Sequence, residues 1–481
     1  MLTRRRMLLG GTLLAGASVM RGASPRADQA AVATSKVSPP VTHAAFDVAE
    51  RMTALPCFGG KELPLWTFQP GNEVPVVRVK AGSSFEARVK NNLPRAGEHI
   101  TIHWHGLRIP NGEDGVPYMT QTPIMPGEEG RYAFTPPETG TFFFHTHCNS
   151  VEHFGRGLFG ALIVEGDEVA RSDADIVLMT KDWRIGSDGR YLPFSTDEGA
   201  AKAGTNGTVR SINGVTKPVI VVPASANVRI RLLNVDVTRI SEIGFEGADA
   251  VIIAVDGNPC TPIPLTSWRF GPASRLDILL RTPLDGSTIR LIDYFSKEPV
   301  VLTELTARGK PIRRDRFTAT PLRPIPYAKA NLELAERLTF AFSATATGAG
   351  VAALSETNGF EIGKLCLSTR TFWAINKQSW TSVDHKTLGP PLAKLVTGKS
   401  YIFELQNLTP HSHPIHIHGH TFEVLKSSLR KLPRFRADTV LLLPKERMEV
   451  AFVGGQPGKW MFHCHILEHQ ETGMMGYFDI S

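Results

Sequence analysis

The chain has 481 residues, 42% of them hydrophobic and 21% charged, with 34 prolines and 43 glycines. This length suits about three domains, and the composition is that of a folded, turn-rich globular protein rather than a disordered one. The formal charge of +7 is not a nucleic-acid signature: residues 1–33 hold five arginines and one aspartate, which leaves about +3 on the rest, with no basic run outside that stretch.

The N-terminus reads "MLTRRRMLLGGTLLAGASVM", with an apolar stretch from Met7 to Met20. That stretch falls short of the roughly 20 apolar residues that cross a bilayer. Followed by the small residues of "AAVATS", it reads as a signal peptide over 1–33, cut after Ala33. Thr3-Arg4-Arg5 resembles a twin-arginine export signal, which carries folded proteins to the periplasm. The expectation is an exported protein with no membrane anchor in its mature form and no nucleic-acid partner.

Three stretches then repeat one pattern: "VVRVKAGSSFEARVKNNL" (76–93), "IVVPASANVRIRLLNV" (220–235) and "AKLVTGKSYIFELQNL" (393–408). Each alternates, turns at small residues, alternates again and closes on an asparagine, with equal intervals Phe85–Asn91, Val228–Asn234 and Tyr401–Asn407. Period-two alternation broken by Gly or Ser predicts strands joined by turns. A second phrase recurs as "AFTPPETGTFFFHTH" (133–147) and "AFVGGQPGKWMFHCH" (451–465), while the middle copy "LLRTPLDGSTIRLID" (279–293) has Leu291 and Asp293 where the histidines stand. "IHWHG" (102–106) and "IHIHG" (415–419) also match, against "ISEIGFEG" in the middle unit. The chain is therefore expected to be all-β, with three Greek-key β-sandwich domains at 34–168, 169–325 and 326–481, the middle one a spacer without metal ligands. Linkers are expected near 165–175 and in the Pro-rich 319–331.

The outer repeats carry four His-x-His pairs: His103/His105, His145/His147, His416/His418 and His463/His465. On a strand, i and i+2 share a face about 7 Å apart. If the outer domains pack face to face, eight imidazoles converge into a metal cluster. Imidazole suits copper, zinc, iron or nickel, so these eight do not name the metal. Cys464 narrows it. Between His463 and His465 it points to the other face and belongs to a second site, with His469, Met474 and His413 as companions. Two histidines, a thiolate and a weak methionine make a blue-copper electron-transfer site. "HILEH" (465–469) also fits a zinc-protease pattern, but only 12 residues follow His469 to supply a further ligand. Besides Cys464 there are Cys57, Cys148, Cys260 and Cys366, whose scattered spacing favours buried thiols over a disulfide framework.

With "HWHG" (103–106), "HTH" (145–147), "HPIHIHGH" (413–420) and "HCHILEHQETGM" (463–474), the sequence resembles the multicopper oxidases, the family of laccases and bacterial copper efflux oxidases. The resemblance implies three cupredoxin-like domains and four coppers. It assigns His413, Cys464, His469 and axial Met474 to a type 1 copper, and His103 and His416 to a type 2 copper. His105, His145, His147, His418, His463 and His465 fall to the type 3 pair. Electrons from a small reducing substrate would arrive at type 1 and pass through Cys464 and its neighbours to the trinuclear cluster, where O2 becomes water. Asp114, in "IPNGEDGVPY", matches the family's carboxylate near the type 2 copper and is expected to relay protons, its simpler reading being an Asp-Gly turn. Where some bacterial members place an acid after the last type 1 histidine, this chain has Gln470 and then Glu471. Glu468 and His420 are expected to support ligands rather than react, and His411 to line the substrate approach or sit in an exposed loop. No methionine lies between Met179 and Met448, which disfavours the methionine-rich capture of Cu(I). The expectation is a monomeric laccase-like oxidase of phenols or similar aromatics. A Cu(I), Mn(II) or Fe(II) oxidase is the alternative, and a non-enzymatic copper-binding or structural protein a third reading.

Overall fold

A computed structural model describes residues 41–71, 74–166, 172–344, 371–380 and 388–481. The residues expected to form a signal peptide, Cys366 and part of the first linker lie outside them. Strand dominates, and the strands form six sheets that follow chain order in pairs. Two four-stranded sheets are built from 41–165, a six- and a five-stranded sheet from 174–308, and another six and five from 336–480.

The repeated asparagine explains itself in the fold. Asn91 donates to Glu98 O and Ile124 O while accepting from Leu93 N. Asn234 does the same with Arg239 O, Phe270 O and Asp236 N. Asn407 repeats it with His411 O, Leu443 O and Thr409 N. Each buried amide satisfies a turning backbone that would otherwise leave polar groups unpaired. One device thus ends the same strand in all three sandwiches.

The histidine-bearing strands pair within their own sandwich. Ile102–His105 runs antiparallel to Gly140–Thr146 with His103 opposite His145, and His413–Ile417 to Gly458–Cys464 with His416 opposite His463. In the middle sandwich Ser241–Glu246 pairs Thr288–Asp293 in the corresponding way, with Leu291 in the core and Asp293 ion-paired to Arg210 at 2.8 Å. The same strand pairing is present there without the histidine donors. His147, His418 and His465 stand just beyond their strands, where their N–H groups bond Thr101 O, Met461 O and Pro414 O.

The second linker, between Arg308 and Glu336, holds no strand. Its Tyr327 lies between the guanidinium groups of Arg108 and Arg436, 4.1 and 4.6 Å from the ring centre, and joins the outer sandwiches. No helix among the described residues is long and apolar enough to cross a membrane.

Candidate metal centres

All eight histidines of the four pairs are buried and meet between the first and third sandwiches. His103 stacks on His418 at 3.8 Å, and His105 on His416 at 3.8 Å. Donor nitrogens cluster as His103/His416/His418, His103/His105/His145 and His147/His418/His463, within 4.8 Å in each set. His465 lies 5.0 Å from His105 and 5.4 Å from His145, centre to centre.

Five of the eight rings are tethered through Nδ1, leaving Nε2 for the centre. Nδ1 of His103 bonds Asp114 O at 2.8 Å, that of His145 Thr146 O at 3.0 Å, and that of His416 Asp438 O at 2.9 Å. Nδ1 of His463 bonds Cys464 O at 2.9 Å, and that of His418 the Asp114 carboxylate at 2.9 Å. Nε2 of His103, His145, His147 and His416, and both nitrogens of His465, have no hydrogen-bond partner. Burial, with neighbouring histidines adding to it, holds His105, His145, His147, His418, His463 and His465 well below the usual imidazole range. Neutral rings with bare, buried lone pairs are costly unless something electrophilic joins them. A metal cluster fits that donor set.

Cys464 stands in a different group. Its Sγ lies 3.7 Å from His413 Nδ1 and 3.6 Å from His469 Nδ1, and these nitrogens are 3.1 Å apart. His469 Nε2 donates to Lys202 O at 2.9 Å, so its Nδ1 carries the lone pair. His413 Nε2 bonds Thr409 Oγ1 at 2.8 Å. Met474 is buried beside them: its backbone O accepts from Cys464 N, and its N bonds His469 O. Burial pushes the Cys464 thiol up and holds His469 down at about 3. A thiolate there needs a bound cation, and two imidazole nitrogens and a sulfur with a methionine at hand fit copper. One residue away on either side, His463 and His465 face the cluster.

Asp114 bridges the stacked pair, with one oxygen 2.9 Å from His418 Nδ1 and the other 3.3 Å from His103 Nδ1. Gly115, at φ +77°, lets this turn press on the His103 strand, because a Cβ there would strike Ile102 O. His420 braces the His418 backbone through Nδ1 to His418 O and accepts from Gly455 N. Glu468 turns away from both centres. It accepts from Ser195 Oγ at 2.7 Å, Thr205 Oγ1 at 2.6 Å and Thr205 N, and so anchors a middle-sandwich loop. His411 is half-buried, 6.0 Å from Trp373. Gln470 is buried, and Glu471 accepts from Val151 N at 2.8 Å. Cys57 and Cys260 are buried thiols, and Cys148 Sγ lies 3.9 Å from Thr101 Oγ1.

Sequence reading missed the contribution of the middle sandwich. Arg275 forms a buried bidentate pair with Asp438 of the third sandwich, and Asp438 touches both His105 and His416. No spacing rule links these residues, because they come from three different sandwiches.

A fold with six paired sheets, an eight-histidine cluster and an adjoining group of one cysteine and two histidines defines a copper-binding oxidoreductase. The chain belongs to the multicopper oxidase family, whose members bind copper: three multicopper oxidase models match residues 52–169, 175–288 and 367–481. It is similar to the multicopper oxidase MmcO of Mycobacterium tuberculosis, 26% identical, covering 99% of this chain and 96% of that one. Among solved structures it resembles the multi-copper oxidase of Pseudomonas thermotolerans at 32% identity and TM-score 0.80, covering 92% and 100% of the two chains. The Pseudomonas parafulva multi-copper oxidase matches at 35% and 0.77, covering 90% and 100%. The family's sandwiches are cupredoxin-like, and its members use O2 as acceptor.

Proposed function

We propose that this chain takes single electrons from phenolic or similar aromatic reductants and delivers them to O2, forming water. The observation that supports it most is the adjacency of two donor sets, with Cys464 in the His413–His469 group and His463 and His465 in the cluster. Bound copper would supply one-electron redox chemistry at both. In this reading His413, Cys464, His469 and Met474 hold type 1, and His103 and His416 hold type 2. His105, His145, His147, His418, His463 and His465 hold the type 3 pair. The cluster donors then belong to domains 34–168 and 326–481, with 169–325 lacking ligands. Asp114 orients His103 and His418 and is placed to pass protons at its carboxylate. Export to the periplasm and a monomeric state complete the proposal.

Curated relatives include a laccase of Botryotinia fuckeliana at 25% identity, covering 86% of this chain and 78% of that one. The His469 ring is fully buried and its outer nitrogen is taken by Lys202 O. No reductant, organic or metal ion, therefore meets a free nitrogen on that ring, and electrons from either must cross the Lys202 cover. The metal-ion reading is carried by an iron transport multicopper oxidase of Gibberella zeae at 24% and a Campylobacter jejuni metallo-oxidase at 25% identity with TM-score 0.74.

Oxygen consumption by copper-loaded protein against phenols, Cu(I), Fe(II) and Mn(II) decides between them. The expected order is phenols first by kcat/KM. Turnover with a metal ion alone selects the alternative, and no turnover with any substrate leaves a copper-binding protein.

A further inference from the structure

His105 is the inverted ring of the cluster. Its Nε2 faces outward, 3.1 Å from Asp438 Oδ1 and 3.3 Å from Thr439 Oγ1, while its buried Nδ1 has no partner. His103, His145 and His416 are the reverse, bonded through Nδ1 with Nε2 bare. Asp438 explains the difference. Its carboxylate accepts from His105 Nε2–H, and its backbone carbonyl accepts from the Nδ1–H of His416, the ring stacked on His105. Asp438, with the Thr439 hydroxyl bonded to its carboxylate and set against both rings, thus fixes opposite tautomers in two stacked imidazoles.

The carboxylate is itself held from the middle sandwich. Arg275 Nη1 donates to Oδ1 at 2.9 Å and Nη2 to Oδ2, while its Nη1 also reaches Ala273 O and its Nε reaches Thr141 O of the first sandwich. Asp256, also in the middle sandwich, accepts from Arg275 N at 2.9 Å and from Thr439 N at 3.2 Å. Gly106, directly after His105, makes room for this pair: a Cβ there would collide with both Arg275 and Asp438. Arg275 and Asp438 are each about fully buried, so the pair is anchored by fixed geometry rather than by solvent.

Resting on the copper-oxidase reading, we propose that Asp438, held by Arg275, is a positioning residue that presents His105 Nδ1 to the cluster. The ligand-free middle sandwich is then required for copper occupancy in the outer two. Asp114 and Asp438 divide the work. Asp114 bridges the His103/His418 stack and its ion-pair partners among the described residues are those histidines, whereas Asp438 bridges the His105/His416 stack as an anion already neutralised by Arg275.

The test compares wild type with Asp438→Leu, which removes the acceptor, and with the double variant Asp438→Ala/Arg275→Met, which removes both charges of the pair and leaves Asp256 its backbone donors Arg275 N and Thr439 N. Copper per chain is measured after reconstitution, with the blue absorbance of the Cys464 site as internal reference. In metal-free protein, 15N NMR of labelled histidine reads the His105 tautomer, assigned with His105→Gln. Wild type is expected to carry its His105 proton on Nε2. Both variants should lose that preference, keep the blue absorbance, and bind cluster copper roughly 10- to 100-fold more weakly. Full copper occupancy and an unchanged His105 tautomer in both variants overturn the proposal. If the double variant does not fold, Asp438→Leu, close to aspartate in shape but without an acceptor, decides alone. A wild type that takes up no copper sinks the oxidase reading, while the tautomer in metal-free protein still decides whether Asp438 positions His105.

Discussion

Cys464 is the residue on which the proposed electron route turns. Extended backbone sends adjacent side chains to opposite faces, so a thiol between two histidines serves a different centre from theirs. Replacing it with serine should abolish the blue absorbance and substrate oxidation while leaving about three coppers per chain, a pattern that metal analysis and electron paramagnetic resonance separate. Unchanged turnover would mean that electrons take another path. Asp114→Asn keeps the shape that bridges His103 and His418 but cannot carry the proton. It should lower kcat roughly 100-fold with copper content and KM held. A loss of copper instead would make Asp114 an orienting group only. His469 and His413 were readable beside Cys464 because soft-ligand chemistry names them; the carbonyl of Lys202 on His469 was not, since any residue carries a carbonyl.

Among the elements, the short helix Leu467–Glu471 and the loop Ser195–Thr205 act together. The helix carries His469 back toward Cys464, and its Glu468 carboxylate gathers Ser195 and Thr205. That grip holds the loop whose Lys202 O covers His469. Glu468→Ala leaves the Thr205 N–H and two hydroxyls without their buried acceptor, a loss of about 3 kcal/mol, read as a melting-temperature drop of about 5 °C. KM for bulky phenols should change as the loop loosens, while cluster copper stays. The motif "HILEH" made Glu468 legible as a supporting acid, but its partners lie over 260 residues upstream, where no local pattern points to them.

For the whole molecule, the middle sandwich contains a buried titratable cluster. Asp236 accepts from Asp182 N, with Lys181, Arg239 and Arg210 nearby, and burial, reinforced by Asp182, pushes its carboxyl up to about 8. An unfolded aspartate titrates near about 4, so the folded state holds this proton more tightly. The stabilisation is complete below about pH 4 and is lost as pH rises toward 8. The melting temperature of wild type should therefore fall between pH 5 and pH 8 more steeply than that of Asp236→Asn; parallel curves would contradict this. Stripping copper with a chelator should also lower the melting temperature, because ligand binding to the folded state alone stabilises it, by about 4 kcal/mol at a thousandfold excess over Kd.

The sequence by itself determined the sandwiches, their turn asparagines and the donor set, because alternation, turn chemistry and His-x-His spacing are local and repeat. It also separated Cys464 from its flanking histidines, since that follows from strand geometry alone. Only the tertiary structure decided which ring nitrogen the tethered histidines present, and it did so through Asp114, Asp438 and backbone carbonyls. Tautomers are set by partners across sandwiches, and those partners share no register with the ligands they hold. The middle sandwich, expected as a spacer, contributes Arg275, Asp256 and the Lys202 carbonyl for the same reason: it has Leu291 and Asp293 where its neighbours have histidines, but it packs against both.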